Sequence, residues 1–472
     1  MPVRLPPARR WAVAPLALFL AAGAAAPTPR PNPNPASGPG APGRAIILPP
    51  GEMAGLGMDL AREAAGDLPD FEDVSEGFEK VISTADGESL FDLWRHDKDR
   101  RLIMELLPGT EAQHFFMIGT IAAGDEEAGV ASDSNWATGF TPARTLYWQR
   151  IGDQVAFIEP QSAYRTSGDR QSQDALSRVY TDRVVLSAPI IAEGPSGGPV
   201  IDLNEVLLDR SDAFLGWFGE GADFSLTTIE LAKAFPKNVE VAYRFPRADG
   251  RLATVRYSIA MPEQSEGYEP READRRVGYF YVDHTDRARN DGESQKVRYV
   301  TRWHLEKAAP ELKLSPPKKP IVYYIEHTTP IRYRRWVREG ILAWNRAFEK
   351  VGIVGAIEVR QQDAATGAHM DIDPEDVRYS FVRWTNSHMG YAIGPSHAFP
   401  DTGEIYNADV VLDEGFISGY AQEFKDSEIA AAAMSRLHPR LAPWLAENPR
   451  WDPRWLLARP ADRPRVAEIA RR

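Results

Sequence analysis

Short apolar runs, each closed by a polar turn, recur along the chain from about residue 85 to residue 305. Ser89 to Arg95 and Leu102 to Leu106 are joined by His96-Asp97-Lys98-Asp99-Arg100, the pattern of a β-hairpin. Thr145–Arg150 and Val155–Glu159 repeat it across Ile151-Gly152-Asp153-Gln154, and Val239–Phe245 and Leu252–Ile259 do so across Pro246-Arg247-Ala248-Asp249-Gly250. Arg183–Ile191, Pro199–Asp202, Val277–Val282 and Val297–Trp303 continue the strand series. Asp223 to Phe235 predicts a short helix, and Met53 to Ala65 another. Strands at close, regular spacing with hairpin turns imply a mostly antiparallel β region over 45–307, in one domain or two.

The pattern changes after Ala308 to Pro320, a linker with four prolines. Pro320-Ile321-Val322-Tyr323-Tyr324-Ile325 is a strand. Thr329 and Pro330 then supply an N-cap and a first-turn proline. Val337, Ile341, Trp344, Phe348 and Val351 recur at spacings of four and three, one apolar face of a single helix that Gly352 closes. Ile357–Val359 and Arg378–Trp384 follow as strands. A loop with several Gly and Pro residues carries His388 and His397, and Ala408 to Leu412 is a short last strand. Strand, helix and strand over 321–415 make the whole an α+β protein, with a helical, proline-rich segment over 416–472.

The amino terminus reads as an address rather than a fold. Arg4, Arg9 and Arg10 precede the apolar run Trp11 to Ala26, which ends in Ala24-Ala25-Ala26. That is the layout of a cleavable signal peptide over 1–26, and the run is short for the roughly 20 residues a bilayer needs. The Pro-rich 27–44 is an extended tether. Export to the periplasm or outside the cell is expected, with no membrane association once the signal is removed. A net charge of −12 argues against a nucleic-acid partner. The absence of cysteine excludes disulfides, thiolate catalysis and cysteine-bound zinc.

Several separate stretches carry a family resemblance over roughly 85 to 415. Arg276-Val277-Gly278-Tyr279-Phe280, Arg298-Tyr299-Val300-Thr301-Arg302-Trp303, Pro320 to Ile325 and Tyr391-Ala392-Ile393-Gly394-Pro395 are similar to a family of large exported bacterial zinc-dependent metalloproteases. In that family a metzincin-like catalytic domain follows domains of unknown function. Ser396-His397-Ala398-Phe399-Pro400, ahead of the last strand, resembles metzincin endopeptidases too. The resemblance implies that 321–415 is the amino-terminal part of such a catalytic domain. It also implies that Ala408, Asp409, Val410, Val411 and Leu412 form a substrate-binding strand at the cleft rim, against which an extended peptide or protein segment pairs.

The same resemblance implies a zinc cofactor held by His-Glu-x-x-His on a helix, where two imidazoles one turn apart bind the metal and the glutamate acts as base. The nine histidines include no such pair; the nearest two, His388 and His397, are nine apart. No catalytic residue or zinc ligand can therefore be named. The chain is expected to be an incomplete member of the family, inactive alone. The alternative is an exported, non-catalytic peptide-binding or scaffold protein. For His388 and His397 the resemblance allows a structural metal, against the plainer reading of hydrogen-bonded loop histidines. The pair Asp413-Glu414 could likewise bind calcium or simply be solvated.

One motif belongs to another chemistry. Gly194-Pro195-Ser196-Gly197-Gly198-Pro199-Val200 fits G-x-S-x-G and is similar to the nucleophile segment of chymotrypsin-like serine proteases, with His96 and His114 upstream. An α/β-hydrolase version fits worse, since no helix follows Ser196, and the competing reading is a Gly/Pro hairpin turn between strands Val184–Ile191 and Val200–Leu203.

Overall fold

The computed structural model describes residues 68–124, 143–215, 219–289, 295–386, 392–394, 396–419, 443–444, 447–448 and 451. The stretches expected to form the signal peptide, the Pro-rich tether and the Met53–Ala65 helix, together with His388 and most of 416–472, lie outside these residues. Among the described residues no helix is long and apolar enough to cross a membrane.

Two antiparallel sheets form the first part. β1 (Glu79–Lys80), β2 (Asp92–His96), β3 (Arg101–Glu105), β10 (Pro199–Asp202) and β9 (Ala192–Glu193) lie side by side in that order. The larger sheet runs β11 (Thr228–Ala234), β12 (Asn238–Pro246), β13 (Leu252–Ala260), β4 (Phe115–Ala123), β5 (Arg144–Ile151), β6 (Gln154–Glu159), β8 (Arg183–Pro189). Period-two alternation sends Leu93, Met104 and Ile201 of the small sheet into one core with Phe115, Val241 and Tyr257 of the large one. Trp94, Ile103 and Val200 point the other way, where Phe71, Val74 and Phe78 cover them. The three expected hairpins form with their expected pairings, Arg95↔Leu102, Arg150↔Val155 and Pro246↔Leu252 among them.

Asp223 to Phe235 is not a helix. A 3-10 turn over Phe224–Leu226 leads into β11, which pairs with β12 through a bulge between Ile229 and Leu231. Pairing with β12 buries Ile229 and Ala234, a gain that outweighs local propensity. The centre of the large sheet, β4, had no counterpart in the periodicity. Its residues 115–121 are buried without a break, so it has no polar face to alternate.

A small sheet of β15 (Lys296–Val300), β14 (Tyr281–Asp286) and β7 (Tyr164–Arg165) leads to the second part. There the order is β17 (Ile357–Gln361), β16 (Ile321–Ile325), β18 (Ser380–Thr385), β22 (Val410–Asp413), β19 (Ala392–Ile393). The first four are mutually parallel and β19 runs antiparallel. A two-stranded ribbon, β20 (His397–Ala398) with β21 (Ile405–Asn407), sits beside it. The fold is α+β, with mostly antiparallel sheets and few helices.

The predicted long helix is two. Ile331–Leu342 and Asn345–Lys350 are separated at Ala343 and Trp344. Asn345 explains the break: its amide nitrogen donates to the Ile357 carbonyl at 2.9 Å, and its oxygen accepts from the Ile357 N–H at 2.8 Å. Pinning that residue to β17 turns the chain before the second helix begins. Trp344 and Val351, expected on the buried face, are 65% and 70% exposed. Pro330 stands at the cap position rather than inside the first turn, and no side chain caps the helix. Gly352 closes the second helix at φ 92°, with the Ile353 N–H reaching back to the Phe348 carbonyl at 3.0 Å.

The two parts meet through the loop 373–377, between β17 and β18. Lys233 of β11 bonds both oxygens of Asp373 at 2.9 and 2.8 Å. Asn238 of β12 donates to the Glu375 carbonyl at 2.8 Å and accepts from the Val377 N–H at 3.1 Å. Arg256 of β13 and Arg383 of β18 both bond the Glu375 carboxylate, the latter at 3.0 Å. Arg383 also reaches the Pro374 carbonyl at 2.6 Å and Asp409 at 3.4 Å. Both arginines are buried. Removing one charge from such a pair strands the other, so Arg383→Ala is expected to cost about 3–5 kcal/mol. Chemical denaturation of the two proteins measures it.

Candidate functional site

β22 holds the residues expected to meet substrate, and the sheet divides them. Val410 and Leu412 face the helices, Asp409 turns to Arg383 at the seam with the antiparallel part, and Ala408 and Val411 are buried. The Asp409 carboxylate accepts from the Phe381 N–H at 2.7 Å. Burial pushes its pKa up to about 6, against the pull of Arg383 and that hydrogen bond. Asp409 is thus a buried member of the seam.

β22 is not the rim. It is paired on one side to β18 (Val410↔Val382, Leu412↔Trp384) and on the other to β19 (Leu412↔Ala392, Val411↔Ile393). The edge position expected for 408–412 belongs to Ala392 and Ile393. A two-residue strand leaves no periodicity to detect, though Tyr391-Ala392-Ile393-Gly394-Pro395 was among the resembling motifs. Among the described residues no strand covers the outer side of β19.

Beneath β22 an apolar groove of about 510 Å³ opens between the helices and the parallel sheet. Tyr323, Val382, Val410 and Leu412 form its floor, and Trp303, Trp336 and Trp344 stand at its sides. Among the described residues no charged side chain lines it. Gly340 lies along the helix wall, and a Cβ there would meet nothing within 4 Å. The glycine keeps this wall low at the expense of helix propensity.

At the carboxyl end of β22 the acidic pair is occupied by the protein itself. Thr385 donates to Asp413 at 2.9 Å and the Gly415 N–H does so at 2.7 Å. Glu414 accepts from Arg332 at 2.7 Å and from the Tyr333 hydroxyl at 3.3 Å. His397 lies against Tyr406, its Nε2 enclosed without a hydrogen-bond partner. Burial drives its pKa down to about 4, against a hydrogen bond with the Asn407 side chain. Among the described residues no group of three or more His, Asp or Glu side chains could hold a metal ion. The zinc that the resemblance implies therefore has no fitting ligand set there.

The Gly194–Val200 segment wraps a carboxylate. Fully buried Glu105 accepts from the Ser196 and Gly198 N–H groups, each at 2.9 Å. Burial raises its pKa against those bonds. A Cβ on Gly194 would sit 2.2 Å from the Glu105 carboxyl carbon, and one on Gly198 2.1 Å from the Leu106 carbonyl oxygen. These glycines are demanded by close packing, and the Ser196 side chain is exposed. His96 faces Phe78 and Asp99, and His114 faces Tyr147.

A family profile described as Domain of unknown function (DUF5117) matches residues 141–308. No curated protein and no solved structure matches the chain. The matched stretch runs from three residues before β5 to Ala308, the first residue of the four-proline segment.

Two outcomes follow from this geometry. Gly340→Ala should stabilise the protein by ~0.5–1 kcal/mol, because helix propensity improves and no neighbour is struck; a thermal melt reads it. Ser196→Ala should change stability by less than ~0.5 kcal/mol, whereas Glu105→Ala strands the buried Gly198 N–H and the part-buried Ser196 N–H and should cost ~1–3 kcal/mol. Denaturant titration of the two variants tests the turn, and labelling of Ser196 by a fluorophosphonate would restore the nucleophile reading.

Proposed function

We propose that residues 321–415 are the substrate-holding part of a metzincin-like zinc metalloendopeptidase, in an exported protein, and that they bind a peptide in extended conformation. The observation that carries the reading is the outer side of β19, which no strand covers among the described residues, at the edge of a sheet whose other four strands are parallel. An extended chain laid there gains backbone hydrogen bonds without rearrangement, the ordinary economy of strand addition. The DUF5117 match over 141–308 accords with the arrangement that the resemblance implies, domains of unknown function ahead of the catalytic one.

No His-Glu-x-x-His occurs in the 472 residues, so on this reading they bind substrate and leave peptide bonds intact unless a zinc-bearing helix is supplied. That absence equally favours an exported peptide-binding scaffold. A metal assay separates hydrolysis by this chain from both: about one equivalent of tightly held zinc with chelator-sensitive cleavage would overturn the proposal.

Binding is tested with fluorescent, unstructured peptides. In an antiparallel pair successive residues turn their N–H groups to opposite sides, so one of Ala392 and Ile393 donates outwards. Of Ala392→Pro and Ile393→Pro, the one that deletes this donor should weaken binding about tenfold. Equal affinity in wild type and both variants would place the peptide elsewhere.

A further inference from the structure

Among the described residues the seam holds more carboxylates, Glu240, Glu375, Asp409 and Asp373, than cations, Arg256, Arg383 and Lys233. Glu240 of β12 is 2% exposed and lies among groups from every element around it. Asn238 on the same strand donates to its Oε1 at 2.9 Å, and Ser258 of β13 donates to the same oxygen. Arg256 of β13 stands beside it but bonds Glu375, and the loop brings the Glu375 charge close. Its cross-strand neighbour on β11, Lys233, turns its ammonium to Asp373. Behind Glu375, Arg383 and Asp409 face in from β18 and the start of β22. Oε2 of Glu240 is enclosed and has no hydrogen-bond partner.

Two guanidinium groups thus serve Glu375 and Asp409, and a third carboxylate sits buried beside them. We propose that Glu240 is a proton-operated latch between the antiparallel and parallel parts. Seated neutral, it leaves both arginines to Glu375 and lets the loop 373–377 stay docked. Ionised, it repels Glu375 inside the seam and loosens that loop. The device responds to alkali rather than acid.

Burial, with the Glu375 charge added, lifts the Glu240 pKa to about 8 from the ordinary 4.5. A carboxyl raised on folding contributes stability that is complete below its unfolded pKa. That contribution is lost as pH rises, until the folded pKa is passed. Between about pH 5.5 and 7.5 the folded state retains one proton the unfolded state has released, so this residue raises the unfolding constant about tenfold per pH unit.

The test compares full-length protein with Glu240→Gln, by denaturant unfolding across pH 5 to 9 and by hydrogen exchange of the Val377 N–H. The variant is expected to lose about one proton of pH dependence and to keep Val377 protected at pH 9, where wild type loses protection. Parallel pH profiles for the two proteins would overturn the latch. Asp409, whose pKa is also raised, to about 6, is separated by the same comparison on Asp409→Asn, which should leave the step towards pH 8 in place. Should Glu240→Gln fail to fold, Glu375→Gln provides the second arm. Without the Glu375 charge Glu240 should ionise at lower pH, so the pH-dependent loss of stability should level off at a lower pH than in wild type, and an unmoved midpoint would reject the proposal.

Discussion

Arg256 and Arg383 converge on Glu375 from different sheets, and the arrangement of the described protein hangs on that meeting. A buried carboxylate is costly alone and tolerable between two guanidinium groups. Here burial would raise the pKa of Glu375, yet the Arg383 and Arg256 charges outweigh it and hold the group below its ordinary range. Because β13 supplies one arginine and β18 the other, the ion pairs form only when the antiparallel and parallel parts are seated together. Asn238 and Lys233 extend the same contact to β12 and β11. Its specificity is geometric, since side chains from four strands are matched to particular atoms of the loop 373–377.

That seating decides which face of the parallel sheet is free. Tyr324, Phe381, Arg383 and Asp409 look towards the seam, so Tyr323, Val382, Val410 and Leu412 look towards the helices. Asn345 then bends the helical segment, and Gly340 thins it, leaving an apolar groove under β22. The rim and the groove are therefore consequences of the same alternation that buries Asp409. Residues next to one another in sequence serve opposite purposes.

Much of this was legible along the chain, for stated reasons. The hairpins at residues 96–100, 151–154 and 246–250 join runs whose turns contain polar residues or glycine, and those signals are local. Gly352 was legible as a helix stop because only a residue at ease with φ near 92° fits there. β4 was not legible, since a strand buried on both faces carries no alternation. β11 resembled a helix until β12 was available to pair with it. The Gly-Pro-Ser-Gly-Gly-Pro turn suggested a nucleophile because the partner that demands its glycines, Glu105, lies about ninety residues earlier in the chain.

By itself the sequence determined the α+β character, the change of pattern after the four-proline segment, the missing His-Glu-x-x-His and the motif Tyr391 to Pro395. All are matters of residue type and short-range spacing. Only the tertiary structure decided that Ala392 and Ile393 take the edge that Ala408 to Leu412 were expected to hold, and that Asp409 serves the seam. The same is true of Glu240, a plain strand glutamate by its neighbours. Edge position and burial are properties of what lies alongside in space, and residues from about twenty to well over a hundred positions away supply it.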